Sequence, residues 1–454
     1  MKKKYYNYLF ILICILFITS CNSKNENTNS INLNKKEGSF VIKNIITFDN
    51  ENINISGNVI NDNNKVYINS PGEYLISGES NKNSQIEVNV PKGINGEVIL
   101  YLQNVNLKND NEPIINILNA KNTIINLCDN SKNFFVQGEK SIRANEDLKG
   151  AAILSKDNLT ITGNGNLKIN ANIYNAIQTS NDLIIESGNI DINSINHGIK
   201  GKDKVQILGG KINIICKNDA IKSDDEKNGN VEILGGDINI EADDKGIDSY
   251  NKISFLNGNI NINKASEGFQ SNIFEMNGGI VKINSFEDGI NTNGLKSILS
   301  INGGKLYIKS LCDGIDSNGD IKITSGEIFI EGPHTNKNNA IDFGVENGGK
   351  ILISGGDILA LGQKSLDGLE SDNSIKKFLY DFAYDNTNKK NIIIKNKNTN
   401  EEILNYSSDI KEFNKLFFSS SKLELKQKYV LIIDEEEHEF IQTKKDLYLG
   451  KTID

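Results

Sequence analysis

Nine times between Ala152 and Ala340 the chain repeats a small residue followed by an apolar one. The pairs are Ala152-Ile153, Ala176-Ile177, Gly198-Ile199, Ala220-Ile221, Gly246-Ile247, Gly268-Phe269, Gly289-Ile290, Gly314-Ile315 and Ala340-Ile341, at intervals of 21 to 26 residues. A fixed period of that length signals a solenoid, in which each unit buries its apolar side only against its neighbours.

Residues 204–215 show one unit. Val205 and Ile207, then Ile212 and Ile214, alternate with polar residues, the period-2 pattern of half-buried strands. Gly209-Gly210 divides them, because a sharp corner needs torsions that a Cβ forbids. The corner recurs at Gly235-Gly236, Gly278-Gly279, Gly303-Gly304 and Gly355-Gly356, and as Gly188-Asn189 and Gly258-Asn259. A third short strand follows each small-apolar pair. Three strands and three corners make one rung of an all-β, right-handed parallel β-helix of about 22–26 residues per rung. Leucine-rich repeats and propellers are excluded by the missing leucine signature and by the period.

The predicted boundaries are 1–20 for a lipoprotein signal peptide, 21–50 for a lipidated cysteine and flexible tether, 51–372 for the β-helix and 373–454 for a small β-rich cap. Lys2, Lys3 and Lys4 precede a short apolar run, and Ile18-Thr19-Ser20-Cys21 fits a lipobox, so Cys21 is the expected lipidation site. The expected location is the outer side of a bacterial membrane, lipid-anchored. Loss of residues 1–20 removes three lysines and no acid, taking the net charge from −9 to −12. Lys132 to Gly150 reads as a side loop. Ile392–Lys395, Leu416–Phe418 and Tyr429–Ile433 read as strands of the cap, whose task is to block the exposed sheet edge.

Cys216 and Cys312 would sit several rungs apart, too far for a disulfide, and these two and Cys128 read as small interior or corner residues. No Cys/His spacing suits a metal. An acidic chain with one arginine (Arg143) and no tryptophan is a poor nucleic-acid binder. A monomer is expected.

The chemistry concentrates before and after each small-apolar pair. Just before it come Asn175, His197, Asp219, Lys245, Glu267, Asp288, Asp313 and Asn339; two positions after it come Gln178, Lys200, Lys222, Asp248, Gln270, Asn291, Asp316 and Asp342. Stacking turns each series into a ladder whose carboxylates repel at one strand spacing. Lys245 could neutralise Asp219 and Glu267. Alternatively Ca²⁺, which takes six to eight oxygens, bridges two rungs. The best-placed ligands are Asp288, Asp313 and Asp316, then Asp219, Asp243, Asp244 and Asp248. Lys200, Lys202, Lys204 and Lys222 form a local cationic track that could face an anionic glycan.

The phrases over residues 198–210, 218–225 and 312–319 resemble the calcium-binding, carbohydrate-binding β-helix proteins of clostridia and related bacteria. Gly332-Pro333 before residues 339–342 and the segment Phe413–Leu423 extend the resemblance, which spans roughly residues 60–440. It implies a lyase-like fold that binds cellulose and pectate, with Ca²⁺ at the Asp-Gly-Ile corners. By the resemblance the ligands are Asp219, Asp244, Asp248, Asp288, Asp313 and Asp316. The chain departs from the pattern at Lys245, Lys222, Gln270 and Asn291.

The expected function is calcium-dependent, non-catalytic polysaccharide binding. A pectate-type lyase is the alternative, but its base is commonly an arginine and Arg143 precedes the regular rungs. An adhesin or envelope spacer is the other. Carboxylates are too frequent for any pair to argue for glycoside hydrolysis.

Overall fold

The computed structural model describes residues 32–34, 39–50, 52–138, 150–294, 296–332, 338–362, 370–371, 376–386, 390–408, 413–444 and 446–450. The lipobox with Cys21 lies outside the described residues, as do Arg143 and Pro333. No described helix is long and apolar enough to cross a membrane.

The chain winds as a parallel β-helix with three strands per rung. An edge sheet of three- to five-residue strands stacks Ile153–Ser155, Ile177–Thr179, Ile199–Gly201, Ile221–Ser223 and their successors through Ile341–Phe343 in parallel. A middle sheet follows, as Asp182–Ile185 on Lys204–Ile207 on Asn230–Ile233. A broad sheet completes the turn, as Asn189–Ser194 on Lys211–Cys216 on Asp237–Ala242.

The small-apolar repeat is the core's own signature. The apolar member of all nine pairs is at most 2 % exposed, and in-register stacking piles Ile on Ile down the axis. Each such side chain contributes on the order of 1.5–3 kcal/mol by leaving water. Where Phe269 replaces isoleucine it meets Phe274 of the next strand, ring centroids 5.3 Å apart. The glycine corners are required twice over. Gly258 has φ +101°, and a Cβ there would lie 2.7 Å from the Gly236 carbonyl oxygen one rung below. Cys128 and Cys216 are buried, and none of the three described cysteines forms a disulfide.

Two expectations need correction. Asn44–Asp49, within the stretch read as tether, pairs in parallel with Gly72–Asn83 and buries Ile46 and Phe48. Lys132–Gln137, read as loop, is a broad-sheet strand between Val98–Asn109 and Asn166–Ala171. Its Phe134-Phe135-Val136 run hides the alternation, with Phe135 fully buried and its neighbours facing outward.

At the far end Phe413–Ser420 runs antiparallel to Asp357–Gly362, the last broad-sheet strand, and sends Phe417 into the main core. Residues Lys390–Asn396, Glu402–Ser408, Lys428–Ile433 and Glu436–Ile441 form a separate four-stranded antiparallel sheet, whose apolar residues share a second core with Leu359, Leu361, Phe378 and Phe418.

The outer faces differ. Over five rungs the broad-sheet strands are Asn166–Ala171, Asn189–Ser194, Lys211–Cys216, Asp237–Ala242 and Asn259–Ala265. Their outward positions read Asn-Lys-Asn, Asn-Asp-Asn, Lys-Asn-Ile, Asp-Asn-Glu and, with a bulge that exposes two residues in a row, Asn-Asn-Asn-Lys. The middle sheet over the same rungs reads Thr-Thr, Asp-Ile, Lys-Gln, Asn-Glu and Lys-Ser.

Candidate functional site

The corner leading from the broad sheet into the edge sheet carries the titratable ladders. Strand register aligns Lys245 with Glu267, and Lys200, Lys222, Asp248, Gln270, Asn291, Asp316 and Asp342 form one column on the edge sheet. Along the first ladder a carboxylate or amide oxygen accepts the backbone N–H one rung on. His197 N donates to Asn175 Oδ1 at 3.0 Å, Lys245 N to Asp219 Oδ1 at 3.2 Å, and Asp313 N to Asp288 Oδ1 at 2.9 Å. Asn339 N donates to Asp313 Oδ1 in the same way. Part of the acidic corner therefore ties rungs together. Sequence reasoning misses this role, although an Asn or Asp recurring just before the small residue is its signal.

The two halves of the corner differ in chemistry. In the first, lysines meet the acids. Lys222 Nζ donates to Asp219 Oδ2 at 2.8 Å and to Asp248 Oδ2 at 2.6 Å. Burial pulls Lys222 down, but those two carboxylates more than offset it and hold its pKa above the usual value. Asp248 is nevertheless pushed up by burial. Lys217 and Lys264 both donate to Asp243, at 2.8 and 2.5 Å, and hold it below the usual carboxylate range. Lys245 Nζ donates to Asp244 at 2.9 Å rather than to Asp219 or Glu267. Asp219 is buried, with His197 Nδ1 3.4 Å from its Oδ2, and burial drives that imidazole down to about 4. At neutral pH His197 is uncharged.

The cationic track is divided. Lys200 and Lys222 are neighbours on the edge sheet, and Lys204 stands on the middle sheet. Lys200 Nζ pairs with Asp224 at 2.6 Å, and Lys202 is exposed at the turn between the two sheets.

In the second half the ladders carry no lysine from Glu267 and Gln270 through Asn339 and Asp342. Asp288, Asp313 and Asp316 bring one carboxylate oxygen each to within 4.8 Å of one another, all half-buried. Burial, then the charges of Asp288, Asp313, Asp342 and Glu346, pushes Asp316 up to about 7. Asp288 is raised mainly by burial, against the N–H of Asp313. Glu267, one rung earlier, is pushed up to about 7, chiefly by burial. Glu267 Oε2 and Asn339 Oδ1 are buried with no hydrogen-bond partner among the described residues. Asp342 and Glu346 join the electrostatics of this half from beyond the predicted ligand set. The structure thus gathers three of the seven candidate metal ligands and pairs Asp219, Asp243, Asp244 and Asp248 with lysines.

A family model for carbohydrate-binding domain-containing proteins matches residues 62–273 and 265–377, well over half of the chain. The chain belongs to that family. A carbohydrate-binding domain-containing protein of Acetivibrio thermocellus is 39 % identical over 152 residues, 32 % of this chain and 52 % of that protein. The chain therefore spans about half the length of the curated relative it matches. A polysaccharide lyase-like protein from C. thermocellum, solved as a gadolinium derivative, aligns at 34 % identity with a TM-score of 0.44. That alignment covers 54 % of this chain and 95 % of the other. The two matched segments include every residue of the ladders from Asn175 to Asp342, so the acidic corner of this carbohydrate-binding domain protein falls inside the family region.

Proposed function

We propose that the protein binds a polysaccharide without cleaving it and holds Ca²⁺ at the corner formed by Asp288, Asp313 and Asp316. In this reading a lipidated Cys21 anchors it on the outer side of a bacterial membrane. The observation that carries the calcium assignment is the convergence of three half-buried carboxylates within 4.8 Å in a family member. Crowded anions raise one another's pKa unless a cation joins them, and Ca²⁺ takes six to eight oxygens at 2.3–2.6 Å. The donor set fits such an ion. Asp288 keeps one oxygen beyond the one that accepts the Asp313 N–H, and Asn339 Oδ1 and Glu267 Oε2 lie on the flanking rungs. When bound, Ca²⁺ would bridge these carboxylates to a uronate of the glycan. That offsets the repulsion expected between a polyuronate and a chain whose net charge is −12 once residues 1–20 are lost.

The absence of cleavage is supported by the lysines. A lyase base must be neutral near pH 7, whereas Lys222 and Lys245 beside the corner, though burial pulls both down, are held above the usual lysine value by their carboxylate neighbours together.

Retention on polygalacturonate in calcium and in EDTA, with absorbance of unsaturated uronate followed alongside, tests the reading. Retention in calcium, release in EDTA and flat absorbance are expected. Rising absorbance would make the protein a lyase, and no retention on any glycan would favour an adhesin. Cys21→Ser should move the protein from the membrane to the soluble fraction; if it stays, the anchor lies elsewhere.

A further inference from the structure

The broad sheet's outer face differs from the rest of the solenoid in a way that base composition does not explain. Nine of its sixteen outward positions over five rungs are asparagine, against one of ten on the middle sheet of the same rungs. A chain-wide bias toward asparagine would raise both sheets alike. The amides are also organised. Asn239 Nδ2 donates to Asn213 Oδ1 at 3.0 Å, Asn213 Nδ2 to Asp191 Oδ1 at 2.7 Å, and Asn193 Nδ2 to Asn170 Oδ1 at 3.1 Å. Each donates toward the preceding rung. A primary amide has two N–H donors and two acceptor lone pairs. A ladder bond uses one of each, so the remaining N–H and lone pair can face solvent side by side.

That donor-acceptor pair matches neighbouring hydroxyls on a sugar ring, and the rungs repeat it every ~4.8 Å along the axis. The face carries three lysines and three acids, a net charge of zero, in contrast to the acidic corner. It offers a polyanion no surplus of cations, and an uncharged polymer loses no ionic hydration on docking. At its C-terminal end the face runs into a 300 Å³ pocket lined by Asn263, Lys264, Asn284, Phe286, Lys309 and Leu311 among others, in which Lys264 is paired with Asp243 and Lys309 with Glu331. Phe286 is 56 % exposed and Leu311 46 %, so an aromatic ring and an aliphatic side chain lie open beside two amides and two acid-paired lysines. An apolar surface flanked by a few polar groups suits the apolar face of a sugar ring.

We propose that this asparagine face, ending at Phe286, is a second glycan site that takes an uncharged polysaccharide without calcium. The assignment rests on the carbohydrate-binding reading above, but not on the metal site. The test measures binding to amorphous cellulose and, separately, to polygalacturonate, each with calcium and with EDTA. Proteins compared are the wild type, Asn213→Ala/Asn239→Ala, Phe286→Ala, Asp316→Asn and the middle-sheet control Asn230→Ala. Circular dichroism melts verify that each is folded.

The double variant and Phe286→Ala should each weaken cellulose binding in EDTA at least tenfold and leave calcium-dependent polygalacturonate retention unchanged. Asp316→Asn should do the reverse, and Asn230→Ala should change neither. If folded face variants bind cellulose as tightly as wild type, the second site is wrong while the carbohydrate-binding reading stands. Wild type that binds polygalacturonate but not cellulose in EDTA likewise removes the second site alone. Wild type that binds no glycan overturns both.

Discussion

Asp316 shows how one side chain couples folding to an ion. Half-buried beside other carboxylates, it has its pKa pushed up to about 7, as does Glu267 one rung away from Asp288. A carboxyl whose folded pKa lies above its unfolded value of about 4 supports the native state fully below that value and loses the support as pH climbs toward 7. In EDTA the melting temperature should therefore fall between pH 4 and pH 7. Added calcium should raise it most at pH 8, where the carboxylates are ionised and ready to ligate. Asp316→Asn should flatten the apo pH profile and abolish most of the calcium-induced rise. A calcium-independent melt at pH 8 for wild type would refute the metal assignment. Which aspartates matter is only partly legible in the sequence. Ladder position singles out Asp288, Asp313 and Asp316, but that Lys222 reaches both Asp219 and Asp248 depends on side-chain geometry.

The rung is legible because its constraints are local. Alternation marks the strands, and the glycine pair marks a corner whose second residue takes positive φ, as at Gly210, Gly236, Gly279, Gly304 and Gly356. Substituting Gly258→Ala should cost about 2–4 kcal/mol, since it adds an unfavourable φ to a backbone collision. Gly348→Ala separates the two effects. It shares the positive φ (+77°) but has no atom within 4 Å of the added carbon, so about 1–2 kcal/mol is expected. Urea melts of the two variants check the difference, and equal losses would mean that rung-to-rung approach is not what selects glycine. Where local signals blur, the pattern misleads. Phe134, Phe135 and Val136 form an unbroken apolar run, and only pairing with Leu107 and Ile169 on either side of Phe135 reveals a strand.

At the scale of the whole molecule, a stack of parallel strands ends in an unpaired row of backbone donors and acceptors. Such an edge invites another chain. Phe413–Ser420 closes it by pairing antiparallel with Asp357–Gly362 and with Lys376–Asn386. Deleting residues 373–454 should therefore produce end-to-end oligomers, visible by size exclusion with light scattering. A truncated protein that stays monomeric would show that the cap serves another purpose.

The repeat alone determined the parallel β-helix, the inward column of isoleucines and the two acidic ladders, because each follows from one rung's pattern copied at a fixed period. The tertiary structure decided which carboxylates are met by lysine and which crowd together, and it gathered asparagines from five rungs onto one face. Those outcomes depend on which sheet a residue occupies and how far its side chain reaches across rungs. The chain lists its residues in order, and only winding brings positions some twenty residues apart to within one strand spacing.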